Sequence, residues 1–260
     1  MKTRQPPVTP GLLNKVPEVA LSFWVIKIMS TTVGETAADY LAADAGLGLG
    51  PTTVVMGLLL AGALALQLRS RRCVPALYWL TVVLVSIVGT QITDLLTDQA
   101  GVSLYLSSSA FALALAAIFA VWFASERTLS IHAIVTPRRE GFYWAAILCT
   151  FALGTAAGDL ATEALGLGFL PGAACFGALI AATIVFWRLG GHPVLCFWIA
   201  YILTRPFGAA LGDWLTQPRA DGGLELGTML VSAAFLATIV VLVAVAQLRP
   251  ASPELKQDKA

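Results

Sequence analysis

The chain has 260 residues, 58% of them apolar and only 12% charged, with sixteen basic side chains against fifteen acidic ones. A soluble domain carries roughly 25% charged residues, so this composition excludes an ordinary water-soluble protein, and a net charge of +1 gives no electrostatic footprint for nucleic acid. Cys73, Cys149, Cys175 and Cys196 show no CxxC spacing, and with His132 and His192 they make no zinc pattern.

In chain order, the first sixteen residues are polar and contain Pro6, Pro7 and Pro10; the apolar run after them holds Lys27 and Glu35, which argues for a retained tail rather than a signal peptide. Apolar windows near twenty residues predict eight membrane-crossing helices at 18–41, 51–68, 75–97, 104–124, 141–164, 169–187, 193–215 and 226–248. Pro51 and Pro171 stand at the starts of the second and sixth, where a missing N–H costs nothing. Residues 17–250 therefore read as one membrane domain, with a second polar tail at 251–260.

The odd-numbered helices share a register. They read Phe23-Trp24, Tyr78-Trp79, Tyr143-Trp144 and Phe197-Trp198; ten residues after each Trp comes Gly34, Gly89, Gly154 or Gly208, and five further on comes Asp39, Asp94, Asp159 or Asp213. Aromatic-Trp-x9-Gly-x4-Asp thus occurs four times, which marks internal repeats at about 17–70, 73–125, 139–188 and 192–248. Turn glycines follow seven residues after Asp in three copies (Gly46, Gly101, Gly166), whereas Gly223 comes after ten, implying an insertion around Pro218-Arg219. The expected fold is all-α and integral to the membrane: four helical hairpins that all enter with the same orientation. Fourfold and two-by-two arrangements both satisfy such parallel repeats.

Thirteen of the sixteen basic residues fall on the side that holds both chain ends, among them Lys2, Arg4, Lys15, Arg69, Arg71, Arg72, Arg127, Arg138, Arg139, Arg188 and Arg249. The glycine-rich turns opposite hold Arg219 alone, beside Asp44, Asp98, Glu163, Asp221 and Glu225. The positive-inside rule then places both termini in the cytoplasm.

Each repeated residue type has a physical reading. Trp24, Trp79, Trp144 and Trp198 are expected as interface anchors, being amphipathic rings at one end of each odd helix. Gly34/Ala38, Gly89/Thr93, Gly154/Gly158 and Gly208/Gly212 form small-xxx-small stripes that let backbones approach, either helix to helix within the odd set or within a hairpin. Asp39, Asp94, Asp159 and Asp213 lie about 22 Å beyond their Trp, in the outer third of the membrane. They are either helix-terminal carboxylates in external water or groups facing a shared polar interior, since facing lipid costs about 2.5–3.5 kcal/mol each. At roughly 100° per residue, Gly and Asp five apart point to different surfaces. Glu35 stacks one turn before Asp39, with Lys27 and Thr31 on the same stripe.

Lys27 has a choice between snorkelling and internal pairing. Arg205, near mid-helix, has no such escape and is expected in a buried ion pair with a carboxylate of another repeat; Pro206 frees a carbonyl beside it. Carboxylates with Thr90, Gln91 and Thr155 make a hard-oxygen donor set suited to proton, alkali or divalent chemistry rather than copper, with the identity of any metal open.

The four motif copies, with "TTVGETAADYL" in the first and "RPFGAALGDWL" in the last, resemble a family of bacterial membrane-anchored proteins built from four copies of a repeat of unknown function. The likeness covers about residues 17–250. It implies eight helices and a bacterial cytoplasmic-membrane location, and carries no activity with it. The second copy, with Thr93 and the turn "GVSLYL", departs most from the pattern.

Two functions compete at this stage: a transporter or channel for a small hard cation that uses Glu35 and the four aspartates, and a non-transporting scaffold, sensor or partner subunit whose charges lock helices together. Lipid and a small cation are the expected partners. Enzymatic activity is not expected, because HExxH, nucleophile–base constellations, phosphate-binding loops and cofactor motifs are all missing from the sequence; paired aspartates acting as an intramembrane protease have little support.

Overall fold

The computed structural model describes residues 14–44 and 46–248, the side chains of residues 43 and 44 excepted. Residues 1–13 of the expected N-terminal tail and all of the C-terminal one, with Lys2, Arg4, Lys256 and Lys259, lie outside the described residues, as does Arg249. Eight α-helices follow one another: α1 Leu21–Asp39, α2 Leu49–Arg69, α3 Pro75–Asp94, α4 Leu104–Glu126, α5 Pro137–Asp159, α6 Phe169–Arg188, α7 Pro193–Thr216 and α8 Thr228–Leu248. There is no strand among the described residues. Seven of the eight are long and apolar enough to cross a membrane; α1, with Lys27, Glu35 and Asp39, is not by composition. It is instead shielded by its neighbours. This is a multi-pass helical membrane protein.

Local chemistry sets the helix starts. Proline occupies the first turn of α3, α5 and α7, where its missing N–H is no loss. The hydroxyl of Thr136 accepts from the Arg139 N–H and starts α5 four residues before the expected 141. Directly after Asp39, Asp94 and Asp159 the backbone widens into a five-residue π-helical turn, Tyr40–Asp44, Leu95–Gln99 and Leu160–Ala164. The chain then reverses at Gly46, Gly101 and Gly166, all with φ between 65° and 68°, a left-handed conformation that glycine adopts without steric cost. The fourth copy differs: α7 runs straight to Thr216, a short 3₁₀ turn Arg219–Asp221 follows, and the left-handed glycine is Gly222. The fourth repeat therefore differs from the other three in backbone, whereas the second differs in sequence.

α1, α3, α5 and α7 form a closed ring, each touching the next and α7 returning to α1. The glycines are the contact points. Gly34 lies against Ser86, Gly89 against Phe151, Gly154 against Arg205 and Pro206, and Gly208 against Thr31 and the Ile28 carbonyl. In every case the glycine of one repeat meets the residue three before the glycine of the next, so the four contacts are one contact repeated around a pseudo-fourfold axis. A Cβ on Gly89 would sit 2.8 Å from Phe151 Cβ, and one on Gly208 3.0 Å from the Ile28 carbonyl oxygen.

The second small residue of each stripe continues these seams between odd helices, so the alternative of packing within a hairpin is not taken. Thr93 donates to the Ala152 carbonyl at 3.1 Å, Gly158 faces Pro206, and Gly212 faces Thr32. Each partner stands two residues before the glycine of the neighbouring repeat. Ala38, the first-repeat counterpart, is buried at 1% exposure. Crowding at this second position is uneven. Only Gly212 is crowded, since a Cβ there would lie 2.7 Å from Thr32 Cγ2. A Cβ on Gly158 would meet Pro206 Cβ at 3.4 Å, an ordinary contact, and Ala38 and Thr93 already carry side chains. Close approach is thus made chiefly by the first glycine of each stripe. A hydroxyl ties the α1–α7 seam as well, Thr32 donating to the Gly208 carbonyl at 2.7 Å.

The hairpin expectation needs a correction. Even helices pack chiefly on the odd helix of another repeat: α2 lies on α3, α4 on α5, α6 on α7, and α8 on α1 with lesser contact to α3 and to its own partner α7. Apolar all round, they have no polar face to aim, and they settle where the ring offers a groove. Only a few of their residues are buried, such as Leu60, Ala63 and Gln67 on α2 and Val231, Ile239 and Val243 on α8. The rest of their surface is apolar and outward, matched to lipid.

The tryptophan reading also changes. Trp79, Trp144 and Trp198 are 3–5% exposed, wedged among aromatic rings of adjacent repeats, and only Trp24 is half-exposed. The Trp198 indole donates to the Leu129 carbonyl at 3.0 Å. The Trp144 indole N–H is buried without such a partner, so ring packing between repeats, rather than lipid anchoring or a shared hydrogen bond, positions these three. Beside them Lys15 Nζ donates to Glu140 Oε2 at 2.5 Å and to the Leu68 carbonyl at 3.1 Å. One cation thereby ties the segment before α1 to the last turn of α2 and the first turn of α5. Glu140 is fully buried, so Lys15→Met, which strands its charge, is expected to cost about 3 kcal/mol. Thermal unfolding in detergent measures it, with Arg71→Met, a change at an exposed position, as the reference.

Candidate functional site

At the turn end of the ring a cavity of about 580 Å³ opens along the axis. Asp39, Asp94, Asp159 and Asp213 all line it, one from each odd helix, and Glu35 lines its deeper part. Asp98 and Glu163, one turn beyond their aspartates on the π-helical segments, join them. Seven carboxyl groups thus share one vestibule. Asp39 is exposed and the other three aspartates are half-buried. Because Gly and Asp stand about 140° apart on each helix, spending the glycine face on the neighbouring helix turns the carboxylate inward. Ala38, Thr93, Gly158 and Gly212, each directly before its aspartate, stay in the seams and contribute nothing to the cavity wall. The expectation of a shared polar interior matches this arrangement; the alternative of separate, outward carboxylates does not.

Below the acids, Arg205 crosses the axis. Its Nη2 donates to Glu35 Oε2, to Thr90 Oγ1, and to Thr155 Oγ1 at 2.7 Å. Thr90 also donates to Glu35 Oε2 at 3.1 Å. The carboxylate of another repeat expected opposite Arg205 is thus Glu35. The three acceptors occupy the same place in their repeats, one residue after the glycine; in the fourth repeat that place holds Ala209, whose methyl leaves room for the arginine. Arg205 is fully buried, and its Nε and Nη1 find no hydrogen-bond partner in the protein.

Lys27 lies one layer further from the acids and does not snorkel. It is fully buried, with Nζ 4.5 Å from the centre of the Phe151 ring and 4.6 Å from that of Tyr201, and 3.4 Å from the Thr31 hydroxyl. Aromatic faces, not a carboxylate, compensate this cation. Arg205 also reaches over Phe151, at 5.6 Å. Tyr201 shares the level of Lys27, and beyond the two the axis is filled by Phe23, Tyr78 and Tyr143, each at most 2% exposed, with the Tyr78 and Tyr143 hydroxyls 2.5 Å apart. An acidic mouth, two stacked cations and an aromatic plug therefore succeed one another along a single line.

Several of these partners escape a residue-by-residue reading. Phe151 stands in the third repeat where Arg205 stands in the fourth, and Tyr201 stands in the fourth where Lys27 stands in the first. Aligning the repeats column by column puts each of these two pairs at one level of the axis, but does not give the contact of Lys27 with Phe151. The Lys15–Glu140 pair has no such signal, because it lies outside the repeated register. Among the described residues there is no group of three or more His, Cys, Asp or Glu close enough to hold a metal ion.

The family model described as Repeat of Unknown Function (DUF347) matches the chain four times, at 22–73, 77–128, 142–190 and 196–250. The chain belongs to this family. Its four matches coincide with the four helix pairs of the ring, so the sequence repeat and the structural repeat are the same unit. No curated protein and no solved structure matches the chain.

Proposed function

We propose that this DUF347 protein is a carrier for small cations in the bacterial cytoplasmic membrane, with its termini in the cytoplasm and its acidic vestibule on the opposite face. The observation that carries the reading is the convergence of one aspartate from every repeat on a cavity that Glu35, the partner of the buried Arg205, also lines. Seven carboxyl groups in one concave space offer cations oxygen ligands and exchangeable protons. The closed axis beneath them favours a carrier caught open to one side over a standing pore, since two cations and a plug of aromatic rings oppose free passage. Orientation rests on the described basic residues: Lys15, Arg69, Arg71, Arg72, Arg127, Arg138, Arg139 and Arg188 cluster at the end away from the vestibule. We read it as a transporter without catalysis of its own.

The test is uptake into proteoliposomes supplied in turn with protons, alkali ions, divalent ions and ammonium. Wild type is expected to move at least one class. Asp159→Asn and Asp39→Asn are expected to abolish that flux while the protein still folds and melts as a single species. Unchanged flux in both variants removes the vestibule from the path. A scaffold role has one observation on its side, the single guanidinium that bonds three repeats. Absence of any flux in wild type, with function surviving joint neutralisation of Arg205 and Glu35, would favour it.

A further inference from the structure

We propose that the oxygens of Glu35, Thr90 and Thr155 form the innermost binding position for a primary ammonium group, so that the cargo is an organic amine and Arg205 is its tethered stand-in. This deepens the carrier reading and rests on it. Three acceptors, one from each of three repeats, converge on one nitrogen, Arg205 Nη2. That nitrogen carries two hydrogens, one fewer than the acceptors that face it, whereas an alkylammonium has three N–H donors and no acceptor.

The arginine is poorly served in return. Its Nε and Nη1, which carry the other three N–H donors of the guanidinium, are buried without a partner. Leaving buried donors unpaired is costly, and every hydrogen bond of the guanidinium runs through Nη2, so a ligand that takes those three oxygens replaces all of them at once. A bare divalent ion fits the place badly: calcium takes six to eight oxygens and magnesium a near-ideal octahedron, and no cluster of three metal-ligating side chains exists among the described residues. The vestibule above, about 580 Å³, has room for an organic chain of several carbons. In this scheme the ammonium end enters past the aspartates, takes the three oxygens from Arg205, and frees the guanidinium to move. Return of Arg205 to the same oxygens resets the empty carrier.

Isothermal titration and proteoliposome uptake with butylamine, tetramethylammonium and magnesium chloride test the proposal. Butylamine is expected to bind and to be transported. Tetramethylammonium, with equal charge and no N–H donor, is expected to bind at least tenfold more weakly. Thr155→Val removes one acceptor at constant charge and should weaken butylamine about tenfold, narrowing the gap between the two probes. Arg205→Ala removes the competitor, so butylamine should bind more tightly and raise the melting temperature more than it does in wild type. Should Arg205→Ala fail to fold, the Thr155→Val comparison decides. Equal affinity for butylamine and tetramethylammonium, or no effect of Thr155→Val, overturns the amine site. Magnesium flux without amine flux overturns it while leaving the carrier reading intact, and no flux of any cation overturns both.

Discussion

Arg205→Met is expected to lower the melting temperature of the detergent-solubilised protein by about 10 °C, the largest single effect in the ring. Removing one partner of a buried ion pair leaves the other charged and unpaired, at a cost of about 3–5 kcal/mol, and each kcal/mol is worth roughly 2–4 °C in a chain of this size. Here Glu35 loses its cation, while Thr90 and Thr155 lose a shared donor. The double variant Glu35→Gln/Arg205→Met is expected to melt higher than Arg205→Met alone, because replacing both members of such a pair by uncharged groups is often close to neutral. A double variant whose loss equals the sum of the two single losses would show that the pair is not energetically coupled.

The second large effect belongs to Gly154. A Cβ there would run into the stem of Arg205 and lie 3.1 Å from Pro206 Cδ. Neither neighbour yields easily: the arginine is fastened at its far end to three helices, and the proline ring is rigid. Gly154→Ala is therefore expected to destabilise by about 3 kcal/mol, the upper range for overpacking a tight core. Gly57→Ala on α2, where nothing lies within 4 Å of the new methyl, should instead be neutral or stabilise by up to about 1 kcal/mol, since alanine is the better helix former. Similar melting curves for the two variants would mean that helix propensity, and not the interlocking of odd helices, sets the stability of the ring.

Much of this architecture is legible in the amino-acid order because the bilayer simplifies the problem. Helix positions follow from apolar length, and the register of Trp24, Gly34 and Asp39 with their three sets of counterparts identifies the unit and its four acids, while leaving open external water or a shared interior for them. Angular arithmetic along one helix separates the glycine face from the aspartate face without any knowledge of neighbours. What that arithmetic lacks is the neighbour itself. The pairing of Arg205 with Glu35 and not with an aspartate, the aromatic bed of Lys27, and the inward turn of Trp79, Trp144 and Trp198 all depend on which helices become adjacent. So does the unequal crowding of Gly158 and Gly212, which one face of one helix makes look alike. The partners of α2, α4, α6 and α8 elude the sequence for the same reason: a helix apolar on every side contains no mark of where it will lie.

That last arrangement bears on how the molecule is put together. Every outer helix is lent forward, α2 to the second repeat, α4 to the third, α6 to the fourth, and α8 back to the first. No quarter of the protein is self-contained, and cutting between repeats would leave one fragment without its cover and another with a helix to spare. The loan from α8 to α1 joins the last of these eight helices with the first of them, so the seam between the fourth and first repeats stays open until α8 has been inserted.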